Sequence, residues 1–254
     1  MGDVLAGTNA VWEFEPDAVV IRYSRGVRGA RLLQALGERR VPHAALESVE
    51  LADGRRGAVL LRAVPRRGAD PLVEAAAGQL KEAADPYRLV LPEQSRTLAE
   101  YYRDELAAAI TAQAGGSQAL SGEPAARFLV DPPSAPRSFK AYDAKALFDG
   151  RAVSFRWFWT GASTAKWKAG DQLFPVEELS GVDWRSPELS HGHLRLLRRT
   201  GGAGGESDAA AGPVGEADQD PAAVVFGMGY GPVHESLPFA AAVLAAIRAA
   251  RVRP

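Results

Sequence analysis

The sequence predicts an α+β, mostly β protein with two similar domains in tandem, each a small, bent antiparallel sheet or barrel with a C-terminal helix. Three observations predict this fold class. Short segments alternate apolar and polar residues between turn residues, an amphipathic helix follows each group of segments, and the whole order recurs after 133–135 residues. Several short strands followed by one helix favour a sheet whose open face the helix covers.

The first element is a hairpin. Phe14 precedes a Pro16-Asp17 turn, and residues 19–23 place Val, Ile and Tyr at every second position, which predicts two antiparallel strands. The same pattern recurs 134 residues later, in residues 148–157, with Asp149-Gly150 as its turn. Asp-Gly is a strong signal for a tight hairpin turn, so the second copy is the better defined of the two.

The later elements keep the same order in both copies. The matching pairs are Val41-Pro42 with Phe174-Pro175, strand 57–64 with strand 192–197, strand 88–91 with strand 223–226, and two helices with apolar stripes at Leu98, Tyr102, Leu106 and Ile110 and at Phe239, Val243 and Ile247. Asp70 before Pro71 predicts the N-cap of an additional short helix in the first copy. Because so many landmarks match in order, we infer a duplication.

The domain boundaries follow from the duplication. We predict a first repeat over residues 1–114, a linker over 115–136 and a second repeat over 137–254. The linker is rich in glycine and proline. A stretch of Gly, Ala and acids at about 200–219 lacks the apolar residues needed to order itself and predicts a flexible loop.

The composition excludes several classes. The 254 residues are 46% hydrophobic with a net charge of −1, which is ample for a core and argues against a nucleic-acid binder that neutralises many phosphates. The chain has no cysteine, so it has neither disulfides nor thiolate metal sites. The apolar run Leu237–Ile247 is shorter than the roughly 20 residues that span a bilayer, and the N-terminus does not resemble a signal peptide. We therefore expect a cytoplasmic protein.

The first candidate site is an aromatic and basic segment in the second repeat. Its members are Trp157, Phe158, Trp159, Lys166, Trp167 and Lys168. Large aromatic residues on both faces of a strand need cover on both sides, or they leave an exposed patch. Such a patch beside lysines could bind a peptide or an anionic headgroup. The alternative is that the tryptophans pack inside the protein and the lysines are solvated.

The second candidate site is the corresponding segment of the first repeat, which carries arginines in place of aromatic residues. Its members are Arg22, Arg25, Arg28 and Arg31. The planar guanidinium group suits phosphate because it offers several donors in a fixed fork. The alternative is a solvated basic loop neutralised by nearby acids such as Glu13, Glu15 and Glu38.

No set of residues predicts catalysis. The Gly227-Met-Gly229-Tyr-Gly231 turn lacks the complete phosphate-binding fingerprint, and no strand–helix–strand unit surrounds it. His191 and His193 lack the further ligands that a metal site needs. His234 and Ser236 lie at a predicted helix start, where adjacent residues do not form an activated nucleophile. We expect no enzyme activity, no cofactor and no metal.

Several phrases carry a resemblance to a known family. FKAYDAKALFDG, VSFRWFWTGASTAKWKAGDQ, FPVEELSGVDWRSPE and FGMGYGPVHESLPFA in the second repeat, with ALGERRVPHAAL and DPYRLVLP in the first, resemble the actinobacterial family called domain of unknown function 4429. That family is similar to bacterial pleckstrin-homology-like domains. The resemblance covers nearly the whole chain and implies a tandem pleckstrin-homology-like fold, but it implies no activity and no catalytic residue.

Two hypotheses follow from the sequence. The first is a non-enzymatic binding or scaffold protein whose partner is a protein or peptide, or an anionic membrane surface, and not nucleic acid. The second is a small-molecule-binding protein or enzyme with an interdomain cleft lined by Trp157, Trp167, Tyr230 and His234. A third reading is that the second repeat only completes the fold of the first, as a subunit of a larger assembly.

Overall fold

The chain forms two compact units, each built from two small antiparallel sheets and a long C-terminal helix. The computed structural model describes residues 3–26, 29–113, 123–133, 138–199 and 216–252. The first unit comprises Met1–Glu74 and Leu80–Pro133, and the second comprises Ala75–Gln79 and Ser134–Pro254. The predicted α+β, mostly β class is therefore confirmed.

The first repeat contains seven strands and three α-helices. In chain order they are β1 (Asp3–Ala6), β2 (Ala10–Phe14), β3 (Ala18–Tyr23), α1 (Arg31–Leu36), β4 (Glu38–Pro42), β5 (Leu46–Asp53), β6 (Val59–Pro65), α2 (Pro71–Ala76), β7 (Arg88–Leu91) and α3 (Arg96–Gln113). One sheet has the order β1-β2-β3-β4 and the other has the order β5-β6-β7.

The second repeat contains seven strands and two α-helices. In chain order they are β8 (Ser138–Lys140), β9 (Ala144–Phe148), β10 (Ala152–Trp157), α4 (Thr164–Ala169), β11 (Gln172–Pro175), β12 (Leu179–Arg185), β13 (His193–Arg198), β14 (Ala223–Val225) and α5 (Val233–Val252). Its sheets have the orders β8-β9-β10-β11 and β12-β13-β14, the same two orders as in the first repeat.

The registers of the two repeats also agree. Phe14 pairs with Val19 across the first hairpin, and Phe148 pairs with Val153 across the second. Both second sheets shift register at their first pair of strands, in the first repeat just after Leu46 and in the second just after Leu179. Since a bulge disrupts the ladder at one position, its recurrence at a separation of 133 residues supports the duplication independently of the sequence pattern.

The long helices cover their sheets with one apolar face. In α5, Phe239, Val243 and Ile247 are all buried, as the four-residue spacing predicts. In α3, Tyr102 and Leu106 are buried, but Leu98 is exposed, so its predicted place in the stripe is wrong. The buried face begins at Ala99 instead, because 3.6 residues per turn carries a strict four-residue series around the helix.

Helix α5 is long and apolar enough to cross a membrane by length and composition alone. The candidate span is Val233–Arg251, with 19 residues and a mean hydropathy of 1.2. The inference from the short run Leu237–Ile247 therefore understated the length of the apolar helix. The span is also 44% buried inside the protein, and its core face packs on strand β12, as the core helix of a globular domain does.

The described part of the predicted linker packs on the first unit. The Ala125 amide donates to the Arg67 carbonyl at 2.8 Å, and the Val130 amide donates to the Ala69 carbonyl at 3.0 Å. The rest of the predicted linker, and residues 200–215 of the predicted flexible loop, lie outside the described residues. Both boundaries stay predictions.

The turn of the second hairpin depends on one carboxylate. Asp149 accepts hydrogen bonds from the amides of Arg151 and Ala152, each at 2.8 Å, and Gly150 adopts a left-handed φ of 94°. The two amides lower the pKa of Asp149 below its ordinary value of 3.8. The charge on this carboxylate thus stabilises the folded state above the unfolded pKa of about 3.9.

We therefore expect Asp149→Asn to lower the midpoint of urea unfolding at pH 7. The asparagine oxygen still accepts from the same amides, but it lacks the charge that strengthens the bonds. Since the folded pKa is the lower one, the advantage of wild type disappears as the pH falls through it. Urea titrations at pH 7, 5 and 3 measure this difference, and a difference that grows toward acid would contradict the assignment.

Candidate functional site

Trp157 belongs to the core of the second unit. It ends β10, is 8% exposed, and its indole Nε1 donates to the Gly170 carbonyl at 2.7 Å. Its ring lies 5.9 Å from that of Phe155, measured between centroids. Trp157 therefore supports the segment that follows it and is not itself available to a partner.

The chain turns sharply after β10. The amides of Gly161 and Ala162 both donate to the Phe158 carbonyl, at 3.2 and 3.0 Å. A side chain at Gly161 would place its Cβ 2.4 Å from the Tyr142 carbonyl oxygen, so only glycine fits there. Ser163 then caps α4, its hydroxyl accepting from the Lys166 amide at 3.4 Å.

Trp159 and Trp167 form an exposed pair, called here the Trp pair. Trp159 lies in the turn after β10 and is 76% exposed, and Trp167 lies on α4 and is 48% exposed. Their ring centroids are 5.3 Å apart and the rings meet edge to face at 83°. Lys168, the next residue on α4, is also exposed. The turn and the short helix thus present two indoles together on the surface.

Lys166 points into the protein from the same helix. Its side chain is fully buried, and its Nζ donates to Asp143 Oδ2 at 2.5 Å. The ammonium also lies 5.2 Å from the centre of the Trp157 ring. Burial raises the pKa of Asp143, and the Lys166 charge opposes that rise. Lys166 therefore anchors α4 from below and does not contribute a surface cation.

The buried lysine is a feature that the sequence analysis missed. The helices α1 and α4 begin 133 residues apart, and this places Leu33, a buried core residue, at the position of Lys166. Asn9 corresponds in the same way to Asp143. Asn9 accepts from the Val90 amide at 2.8 Å and Asp143 accepts from the Val225 amide at 3.0 Å. The second repeat has thus replaced a neutral core contact by an ion pair.

A second aromatic group lies next to the Trp pair in sequence. The Nζ of Lys140 is 5.4 Å from the centre of the Phe158 ring and 5.2 Å from that of Tyr230. Tyr142, which is half exposed, meets Tyr230 edge to face at 6.0 Å. Phe158 therefore packs against Lys140 beside the Trp pair. The sequence predicted Phe158 for this surface, but it gave no signal for Lys140 or Tyr142.

The arginine segment of the first repeat is largely neutralised. Arg22 pairs with Glu13 at 2.5 Å and with Glu38 at 2.7 Å. Arg25 and Arg31 are exposed, and neither makes an ion pair with another described residue. Arg28 lies outside the described residues. The described arginines thus do not form a cluster of free charges of the kind that a phosphate group needs.

One further arginine, outside the predicted set, is buried in the first unit. Arg39 makes two hydrogen bonds to Asp70, at 2.8 and 2.9 Å, and the Tyr87 hydroxyl donates to the same carboxylate at 2.7 Å. Asp70 also caps α2 as predicted, accepting from the Leu72 amide at 2.8 Å. Burial, and then the charge of Asp70, raises the pKa of Tyr87 well above its ordinary value. This network ties β4, α2 and β7 together.

The remaining predicted candidates lie apart from any common centre. His193 is buried and hydrogen-bonded to Asp183 at 3.2 Å, whereas His191 is exposed. Gly229 and Gly231 both have left-handed φ angles, and a Cβ at Gly231 would lie 2.2 Å from Phe226, so these glycines serve backbone passage. Within the described ranges, no three His, Asp or Glu residues are arranged to hold a metal ion.

The comparisons with known proteins identify a family. The model described as "Domain of unknown function (DUF4429)" matches residues 12–107 and again residues 146–244, together more than half of the chain. Curated proteins gave no match to the chain. The two matched segments coincide with the two repeats that the strand order shows.

Proposed function

The chain belongs to the family of the domain of unknown function DUF4429 and carries it twice, and we propose that it is a non-enzymatic binding or scaffold protein. Its partner is a protein or peptide, and the contact surface is the Trp pair of the second repeat. The same proposal includes a pleckstrin-homology-like fold for each repeat and a cytoplasmic location. Sheets of four and three strands with one C-terminal helix support that fold.

The observation that carries the proposal is the contrast among the tryptophans. Trp12, Trp157 and Trp184 are buried, whereas Trp159 and Trp167 are exposed and in contact with each other. Covering the exposed parts of two indoles removes on the order of 200 Å² of apolar surface, which is worth roughly 5 kcal/mol at about 25 cal/mol per Å². Tryptophan is enriched among the residues that dominate protein interfaces.

The Trp pair is also held in place before any partner arrives. Ser163 caps the helix that carries Trp167, and Lys166 ties that helix to Asp143 in the core. Trp159 follows directly on the buried strand end at Trp157. A rigid surface loses little conformational entropy when it binds, so more of the contact energy becomes affinity.

The distribution of charge favours a protein or peptide over an anionic headgroup. A headgroup site needs several free cations converging on one point. Lys166 is paired with Asp143, and Arg22 is paired with Glu13 and Glu38. Lys168 alone among the predicted lysines is exposed beside the pair. The small-molecule alternative remains a prediction, although one of its four residues, Trp157, is buried.

The test is affinity purification of the tagged protein from the organism that encodes it, with wild type and Trp159→Ala/Trp167→Ala compared quantitatively. Loss of two anchors worth about 2 kcal/mol each should reduce recovery of a specific partner by more than tenfold. Leu189→Ala is the matched control, because Leu189 is a half-exposed apolar residue of the same unit.

Circular dichroism establishes that each variant is folded. Equal recovery of every partner by a folded double variant would overturn the proposal. Pelleting with vesicles containing about one third anionic lipid at low salt tests the membrane alternative. Pelleting of wild type that the double variant loses would assign the Trp pair to a lipid surface instead of a protein.

A further inference from the structure

A groove of about 560 Å³ lies in the first unit, distant in sequence from the Trp pair. It is bounded by strand β1, by the end of β2 with its hairpin turn, by the 3-10 turn after β4, and by helix α3. Phe14 and Tyr102 form one wall, with their rings stacked at 4.5 Å and nearly parallel at 6°. All the residues that line it belong to the first unit.

Four carboxylates line this groove, called here the acidic groove. They are Asp3, Glu13, Glu15 and Glu105, and no lysine or arginine is among the described residues that line it. Glu13 and Glu15 reach out to Arg22 and Arg40 at the edge. Asp3 and Glu105 make no ion pair within the described part of the chain. The groove therefore carries uncompensated negative charge.

A buried histidine lines the same groove and lacks a hydrogen-bond partner. His43 is 4% exposed, and neither of its ring nitrogens meets a donor or acceptor with hydrogen-bonding geometry among the described residues. Burial lowers the pKa of His43, opposed by Asp17 and the Ala18 backbone, which favours the neutral ring. A buried polar group without a partner costs free energy, and a ligand that donates a hydrogen bond would remove that cost.

The second repeat shows that the fold does not need these polar residues. Leu147 stands at the position of Glu13, and Val176 stands at the position of His43 in the matching 3-10 turn. The ring pair Phe148 and Phe239 corresponds to Phe14 and Tyr102, which places Ala242 at the position of Glu105. The same framework is thus built with apolar residues where the first repeat has two carboxylates and an imidazole.

We propose that the acidic groove binds an arginine side chain presented by a peptide segment of a partner protein. The guanidinium group carries five N–H donors in one plane, so it can bridge two carboxylates and still donate to the neutral His43 ring. Its flat face can stack on the aromatic wall formed by Phe14 and Tyr102. A lysine ammonium offers neither the fork nor the stacking face. This site is independent of the Trp pair, because it lies in the other repeat.

The experiment titrates the full chain with acetyl-Arg-Arg-Arg-amide, followed by isothermal calorimetry at about 50 mM salt, where screening is modest. Wild type is expected to bind with saturation, and at least about tenfold tighter than it binds the tri-lysine peptide. The test variant is Glu13→Leu/His43→Val/Glu105→Ala, which introduces the residues of the second repeat. It should weaken tri-arginine binding by about tenfold or more.

The control variant is Glu177→Ala/Glu178→Ala, which removes two exposed carboxylates from the other unit and should leave the affinity within about twofold. If the triple variant does not fold, Glu105→Ala alone serves, because an exposed helical Glu→Ala is tolerated and should cost about threefold in affinity. Absence of saturable binding to wild type overturns the proposal. So does an equal affinity for tri-lysine, or a loss in the control as large as in the test variant.

Discussion

Replacing Lys166 by leucine is expected to destabilise the second unit by about 3–5 kcal/mol, and adding Asp143→Asn is expected to restore most of that loss. The single change leaves the Asp143 carboxylate buried without its cation, since Lys166 and Asp143 are both fully buried and 2.5 Å apart. The double variant recreates the Leu33 and Asn9 pair that the first repeat uses at the same two positions.

The rescue makes this prediction specific to the ion pair. In the double variant, the asparagine side chain introduced at position 143 can still accept from the Val225 amide, the bond that Asp143 makes at 3.0 Å. Urea unfolding combined with hydrogen exchange in strands β9, β10 and β14 measures the stability of the second unit itself. A single variant within about 1 kcal/mol of wild type, or a double variant no more stable than the single one, would contradict the assignment.

Replacing Asp70 by asparagine is expected to cost the first unit about 3–5 kcal/mol. Asp70 receives two bonds from Arg39, one from the Tyr87 hydroxyl and one from the Leu72 amide, and its side chain is fully buried. Without the carboxylate charge, the buried Arg39 guanidinium has no counter-ion in this network. The helix α2 also loses a charged N-cap, which by itself is worth about 1 kcal/mol.

Two comparisons isolate the charge effect at Asp70. Asp104→Asn removes an exposed carboxylate on α3 and should change the stability by less than about 0.5 kcal/mol. Arg39→Met/Asp70→Asn removes both charges and should recover at least half of the loss, because a buried ion pair often contributes little beyond its own desolvation. Thermal and urea unfolding of the four proteins measure these differences. A double variant as unstable as Asp70→Asn would show that the charge of Arg39 is not the cause.

The strands could be predicted from the sequence because their residues alternate between a buried and an exposed face. The hairpins at Phe14 and Phe148 were found in this way, and the duplication strengthened both. Helices α1 and α4 could not be predicted in the same way, because six residues are fewer than two turns and give no reliable periodicity. Strands β1 and β8 are equally short and depend on their pairing with β2 and β9.

The candidate site could be predicted only in part, because burial decides it. The sequence identified the segment that carries Trp159 and Trp167, but it treated Trp157 and Lys166 as members of the same surface. Alternation along the strand places Phe155 and Trp157 on one face, and only the tertiary fold shows that this face is buried. For Lys166, the available signal was its alignment with Leu33, an apolar position of the first repeat.

The acidic groove was not predicted because its members come from distant parts of the chain. Glu13, His43 and Glu105 meet only after β2 and α3 have packed together. Each of them alone is an ordinary polar residue in the sequence. Comparison of the two repeats at Leu147, Val176 and Ala242 would have shown the three substitutions, and such differences between copies are the sequence feature to seek in other duplicated chains.

The most direct test of the central claim is site-specific photo-crosslinking at the Trp pair. A benzophenone amino acid is placed at position 159, and at position 189 as a control of similar exposure in the same unit. Cross-linking is carried out in cells, and the products are identified by mass. We expect one predominant protein adduct from position 159 that is absent from position 189 and that Trp167→Ala diminishes. The same weak set of adducts from both positions would contradict a binding surface at the Trp pair.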